Sequence, residues 1–170
     1  MNITDITAYF VEDKDLYISI HKAFNELYER DIHLINNEPI TKIASDELGK
    51  HYVGERAIVF RFAHYLQNEL VKYPRYAKYH LDCEYNRNGI CTKCLPSFPN
   101  GTFPDLIIHQ RGNNNKNLLV MEFKTYWNTN TQNDVNKVEE FVAKNGDYKY
   151  KYGIVVTIGK TLAETNFEVY

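Results

Sequence analysis

The sequence predicts an α/β fold, with a mixed central sheet flanked by helices and an extra helix at the N-terminal side. Three observations predict it. Apolar residues recur at three- and four-residue steps in three segments, which is the helical period. Short apolar runs bounded by turn residues lie between and after them, as buried strands do. The order is helix, helix, strand, strand, strand, helix, strand, which joins an antiparallel hairpin to a helical crossover.

The first helix is predicted over 13–30, where Leu16, Ile20, Phe24 and Leu27 repeat at helical spacing behind acidic residues. An irregular polar segment follows to about residue 50. The second helix, 54–72, carries the stripe Val59, Phe62, Leu66 and Leu70. Glu55 extends that stripe by one turn, so it should point along the buried face. Alternatively it is a first-turn glutamate favoured by the helix dipole. A strand is predicted at 79–86, ending in Asn86-Arg87-Asn88-Gly89, and a loop with Pro96, Pro99 and Gly101 follows. Two apolar strands come next, one running from Phe103 to Ile108 and one from Leu118 to Lys124. The polar turn from Arg111 to Asn117 joins them. A third helix is expected at 134–144, with Val135, Val138, Phe141 and Val142 inward, stopped by Asn145-Gly146. Tyr152 to Ile158 reads as a last strand, apolar enough to be central.

The 170 residues fit a single domain, with 1–50 as a helical extension and 54–158 as the core. Hydrophobic content of 44% and aromatic content of 14% exclude a disordered chain. The net charge of −2 excludes a global basic footprint, so any nucleic-acid site must be a local patch. No run of about 18 apolar residues exists, so no membrane-spanning helix is expected. The start of the chain lacks the features of a secretory signal, and a cytoplasmic location is the expectation. Three cysteines, an odd number, argue against a disulfide framework.

The chemistry concentrates in the hairpin. Its strands carry only Asp105 and the pair Glu122 and Lys124 as charges, and an unpaired buried charge is costly. Residues two apart share a strand face, so Glu122 and Lys124 lie together while Phe123 points the other way. Asp105 joins them only if the parity of the connection allows. A six-residue loop, 112–117, would pair Asp105 with Lys124 and Ile107 with Glu122. One residue more would turn Asp105 away unless a bulge corrects it. Asp105 and Glu122 offer hard oxygens suited to Mg²⁺ or Mn²⁺, and a metal-bound water becomes a nucleophile at neutral pH. Lys124 can orient that nucleophile, and Glu55 can reach the same cluster. The plain alternative is a buried salt bridge of Lys124 with Asp105 or Glu122, which is rarely stabilising in net terms.

Pro104-Asp105 followed by Glu122-Phe123-Lys124 resembles the Pro-Asp…(Asp/Glu)-x-Lys signature of the restriction-endonuclease-like nucleases. The helix carrying Glu55 and the crossover helix after Lys124 match that superfamily's core order over residues 54–158. The segments 54–66, 82–89 and 104–112 also resemble small bacterial proteins of the superfamily that are poorly characterised. The resemblance implies a restriction-endonuclease-like core, with Asp105, Glu122 and Lys124 catalytic and Glu55 an auxiliary metal ligand. It implies Mg²⁺-dependent hydrolysis of phosphodiester bonds, with DNA favoured over RNA as substrate. Two copies, or a larger complex, would suit double-strand cleavage. The rival expectation is a catalytically silent binding module that kept the fold, within a nucleic-acid-processing or phage-defence complex.

Two further patterns compete for a role. His80, Cys83, Cys91 and Cys94 have spacings that could close a tetrahedral Zn²⁺ site. A regular strand would put His80 and Cys83 on opposite faces and defeat it, leaving Cys83 in the core and Cys91 and Cys94 as loop thiols. The runs 72–80 and 148–152 mix lysine or arginine with tyrosine, which suits phosphate contact and base stacking. A solvated strand edge with laterally packed tyrosines explains them equally.

Overall fold

The computed structural model describes residues 1–36, 53–128 and 130–170. Most of the polar segment expected up to residue 50 lies outside them. Helix α1 (Lys14–Arg30) starts after Asp13, whose carboxylate does not cap it. That carboxylate is buried and accepts instead from Lys151 Nζ at 2.6 Å and Tyr152 Oη at 2.8 Å. A short helix α2 (Ile32–Asn36) follows, then α3 (Glu55–Leu70). Strand β1 (His80–Cys83) is shorter than the predicted 79–86. The stretch after it folds back as a small ribbon, β2 (Arg87–Asn88) against β3 (Cys91–Thr92), turned at Gly89 with φ +62°. Then come β4 (Leu106–His109), β5 (Asn117–Thr125), α4 (Gln132–Val142), β6 (Tyr152–Ile158) and β7 (Asn166–Val169).

Among the described residues the main sheet has five strands in the order β1-β4-β5-β6-β7. It is mixed. β5 and β6 are parallel across the α4 crossover, and every other neighbour pair is antiparallel. Strand alternation sorts its side chains into two layers. Leu106, Ile108, Leu119, Met121, Phe123, Ile154 and Val156 face α1 and α3, where Phe24 and Phe62 pack with ring centroids 4.3 Å apart. Ile107, Val120 and Val155 face the other way, onto Val138 and Phe141 of α4 and onto Tyr148 and Tyr150. The docking of α4 requires a residue without a side chain in β6. A Cβ at Gly153 would stand 2.5 Å from Val138 Cγ1 and 2.7 Å from Val142 Cγ1.

The hairpin register differs from the expected one by two residues. Leu106 pairs with Met121 and Ile107 with Val120, so Glu122 is not opposite Ile107. The cause is the loop. His109 pairs with Asn117, which leaves 110–116 as an odd-numbered connection. Extended regularly, that pairing would set Asp105 opposite Met121, on the α1/α3 face. A bulge between Ile108 and His109 absorbs one residue and restores the parity. Asn117 is held in place by its side-chain amide, which donates to Tyr148 O at 2.7 Å. Strand β7 has no counterpart in the sequence prediction. No helix among the described residues is long and apolar enough to cross a membrane.

Candidate functional site

Asp105 stands one residue before β4. The Leu106–Met121 pairing, continued one step, sets it across from Glu122, and its Oδ2 accepts the Phe123 backbone N–H at 2.7 Å. Glu122, at the centre of β5, is 0% exposed. Lys124 follows on the same face. That face is the one covered by α4, whose first turns bring Asp134 and Lys137 over the three strand residues. Glu55 arrives from the other layer, as the first residue of α3.

The contacts form a lattice of carboxylates and ammonium groups. Lys124 Nζ lies 3.2 Å from Glu55 Oε1 and 3.1 Å from Asp134 Oδ2. Lys137 Nζ lies 2.9 Å from Glu122 Oε2 and 3.7 Å from Asp134 Oδ1. Three buried oxygens, Glu122 Oε1, Glu55 Oε2 and Asp134 Oδ2, have no hydrogen-bond partner among the described residues, the last keeping only its ion pair with Lys124. Among the described residues Glu55, Asp105, Glu122 and Asp134 oppose Lys124 and Lys137, so four acidic groups meet two ammonium groups.

The protonation equilibria respond to that excess. Burial first, then the nearby Asp105 charge, pushes the Glu122 carboxyl well above the usual range. Burial pushes Asp105 up to about 6, against the Phe123 N–H bond that pulls it down. Glu55 is raised by burial, with Lys124 opposing. Burial alone would depress Lys124 and Lys137, but the carboxylates beside them win and both stay firmly protonated. A buried carboxylate pair that repels, with an orphaned oxygen, is what a hard divalent cation relieves.

Asp105 and Glu122 offer the oxygen donors that Mg²⁺ or Mn²⁺ takes. Glu55 turns Oε1 onto Lys124 and leaves Oε2 buried without a hydrogen-bond partner among the described residues. Among the described residues no group of three or more His, Cys, Asp or Glu side chains is arranged to hold a metal ion. The Lys124 partners also differ from the expected salt bridge. They are Glu55 and Asp134, not Asp105 or Glu122.

The same observation separates the zinc candidates. His80 and Cys83 occupy opposite ends of β1 and alternate faces, while Cys91 lies exposed in the separate ribbon. Cys94 turns its thiol toward Thr92 O at 3.6 Å. Cys83 packs on the α1/α3 side, where burial, with Asp105 nearby, pushes its thiol to about 11. His80, Cys83, Cys91 and Cys94 are not assembled as a Zn²⁺ site. The tyrosine runs are structural in part. Tyr148, Tyr150 and Tyr152 are all buried, and Lys151 is paired with Asp13 and Glu12.

Sequence reasoning missed Asp134 and Lys137. Their i,i+3 spacing at the start of the crossover helix, ten residues after Lys124 in the case of Asp134, was the available signal. A helix that returns over the Glu122 face must set its first turns near the end of β5. Compared with protein-family models, curated proteins and solved structures, the chain matches none.

Proposed function

We propose that the protein is a metal-dependent nuclease with a restriction-endonuclease-like core, hydrolysing phosphodiester bonds with Mg²⁺ or Mn²⁺ and favouring DNA. The observation that carries the reading is the placement of Asp105 across from Glu122 under α4, with Glu122 Oε1 buried and unpartnered among the described residues. The parallel crossover from β5 through α4 to β6, with the hairpin upstream, supports the core assignment. Asp105 and Glu122 would hold the ion, with Asp105 fixed by its bond from the Phe123 N–H. A divalent cation bound there supplies an activated water and neutralises charge on the phosphate. Lys124, two residues on, is the ammonium positioned to orient a phosphate oxygen. Glu55 and Asp134 hold that lysine in place and so act through it. The three cysteines are free, which suits a reducing cytoplasm. Double-strand cleavage would need two such sites, from a homodimer or a larger complex.

Calorimetry with Mn²⁺, wild type beside Glu122→Ala, tests the reading, with the same samples incubated with mixed DNA and RNA. Binding and cleavage that both vanish in the variant are expected. A second reading, a silent binding module, is favoured by the engagement of Lys124 with Glu55 and Asp134. Absence of Mn²⁺ binding in the wild type would select it.

A further inference from the structure

We propose that Lys137 is a built-in counter-cation for Glu122, which keeps the site closed and moves onto Asp134 when a divalent cation enters. This rests on the metal-site reading above and concerns how this chain guards it.

Three observations meet here. Glu122 is wholly buried, one oxygen 2.9 Å from Lys137 Nζ and the other without a partner among the described residues. Lys137 belongs to α4 and not to the strand hairpin, and its ammonium is itself mostly covered. Asp134, one helical turn earlier and buried, offers Oδ1 at 3.7 Å from the same ammonium. Lys137 thus sits between two carboxylates, bonded to one and near the other. Its flexible four-carbon stem can make that exchange by rotation alone.

Ion entry and the present contact compete for one carboxylate. Mg²⁺ bonds carboxylate oxygen at about 2.0–2.1 Å in a strict octahedron. An ion on Glu122 Oε1 would stand within a few ångströms of the ammonium that Oε2 of the same carboxylate holds. Like charges at that range in a desolvated site repel strongly. The occupant the site selects is therefore one divalent cation with a preference for oxygen, entering as Lys137 leaves. Asp134 is a positioning residue in this exchange. It also contacts Lys124, so the handover would be felt at the second lysine.

The test is Mn²⁺ affinity, by calorimetry and by the spin-resonance signal of free Mn²⁺, with no nucleic acid present. Lys137→Met keeps the apolar stem and removes the charge. It should bind Mn²⁺ at least about tenfold more tightly than wild type, the scale of one close charge removed from a shielded site. Lys137→Arg keeps a permanent charge and should gain nothing. Asp134→Asn removes the parking place and should weaken binding in the wild-type background but much less in the Lys137→Met background, a coupling read from the double-mutant cycle. Wild-type or weaker affinity in Lys137→Met overturns this proposal alone. An equal effect of Asp134→Asn in both backgrounds overturns the handover, and where Lys137→Met folds poorly, wild-type Mn²⁺ affinity in the Asp134→Asn single variant overturns it. No Mn²⁺ binding by any of these proteins overturns the metal site and this proposal with it.

Discussion

At the level of single residues, the site is a collection of charges held where charge is expensive. Asp105 shows the consequence most directly. Its folded-state pKa, about 6, lies above that of an unfolded aspartate, about 3.9. The folded protein holds this proton more tightly, so the stability that Asp105 contributes is complete below about pH 4 and is lost as pH rises through about 6. In metal-free buffer, Asp105→Asn should therefore gain on wild type between about pH 4 and pH 7, by up to about 3 kcal/mol. Urea unfolding of both proteins across that range checks it, and a pH-independent difference would contradict it. Saturating Mn²⁺ should abolish the gain, because the ion replaces the proton. Asp105, Glu122 and Lys124 were legible in the sequence because a strand has a period of two and apolar strands rarely carry charge. Asp134 and Lys137 were not. Their charges sit on an amphipathic helix, where polar residues need no special explanation, and the docking angle of α4 is a tertiary fact.

Among the elements, α4 and β6 depend on one another. The helix can lie close enough to set Asp134 and Lys137 over Glu122 because Gly153 has no side chain. Gly153→Ala should push Val138 and Val142 outward and cost about 1–3 kcal/mol. A lower urea midpoint at unchanged m-value would report it. The same variant should alter Mn²⁺ affinity, since it displaces the first turns of α4 relative to β5. Long, strongly periodic elements such as α1, α3 and β6 were readable with boundaries within a residue or two. Strand β7 was not, because Asn166-Phe167-Glu168-Val169 is too short and too polar to separate from a turn without its partner β6. That Asp105 shares the face of Glu122 was readable, but the odd loop and the bulge that restores the face were not, because a bulge leaves no mark in composition.

For the molecule as a whole, the sheet divides two kinds of work. One face packs α1 and α3 in a dry aromatic core, and the other carries the charges under α4. Phe24, fully buried between Phe62 and Phe167, belongs to the first. Phe24→Ala should cost about 3–5 kcal/mol and leave the Mn²⁺ affinity of the folded fraction unchanged. Conversely, Mn²⁺ at about a hundred times its dissociation constant should stabilise wild type by about 2.7 kcal/mol, and Glu122→Gln not at all. Thermal unfolding with and without the ion separates the two faces.

The bulge between Ile108 and His109 has a practical consequence. Beyond the His109–Asn117 pair the loop is tied to β1 by Arg111 on Asp82 and to β2 by Asn114 on Asn88, and the tip between those two ties can vary in length without rotating Asp105. Gly112 and Asn113 are exposed there, and Gly112 already takes a φ of +87°. A short peptide tag spliced between Gly112 and Asn113 should leave Mn²⁺ affinity at its untagged value. The tip is thus a handle for attaching a fluorophore or a surface anchor a full strand away from the chemistry.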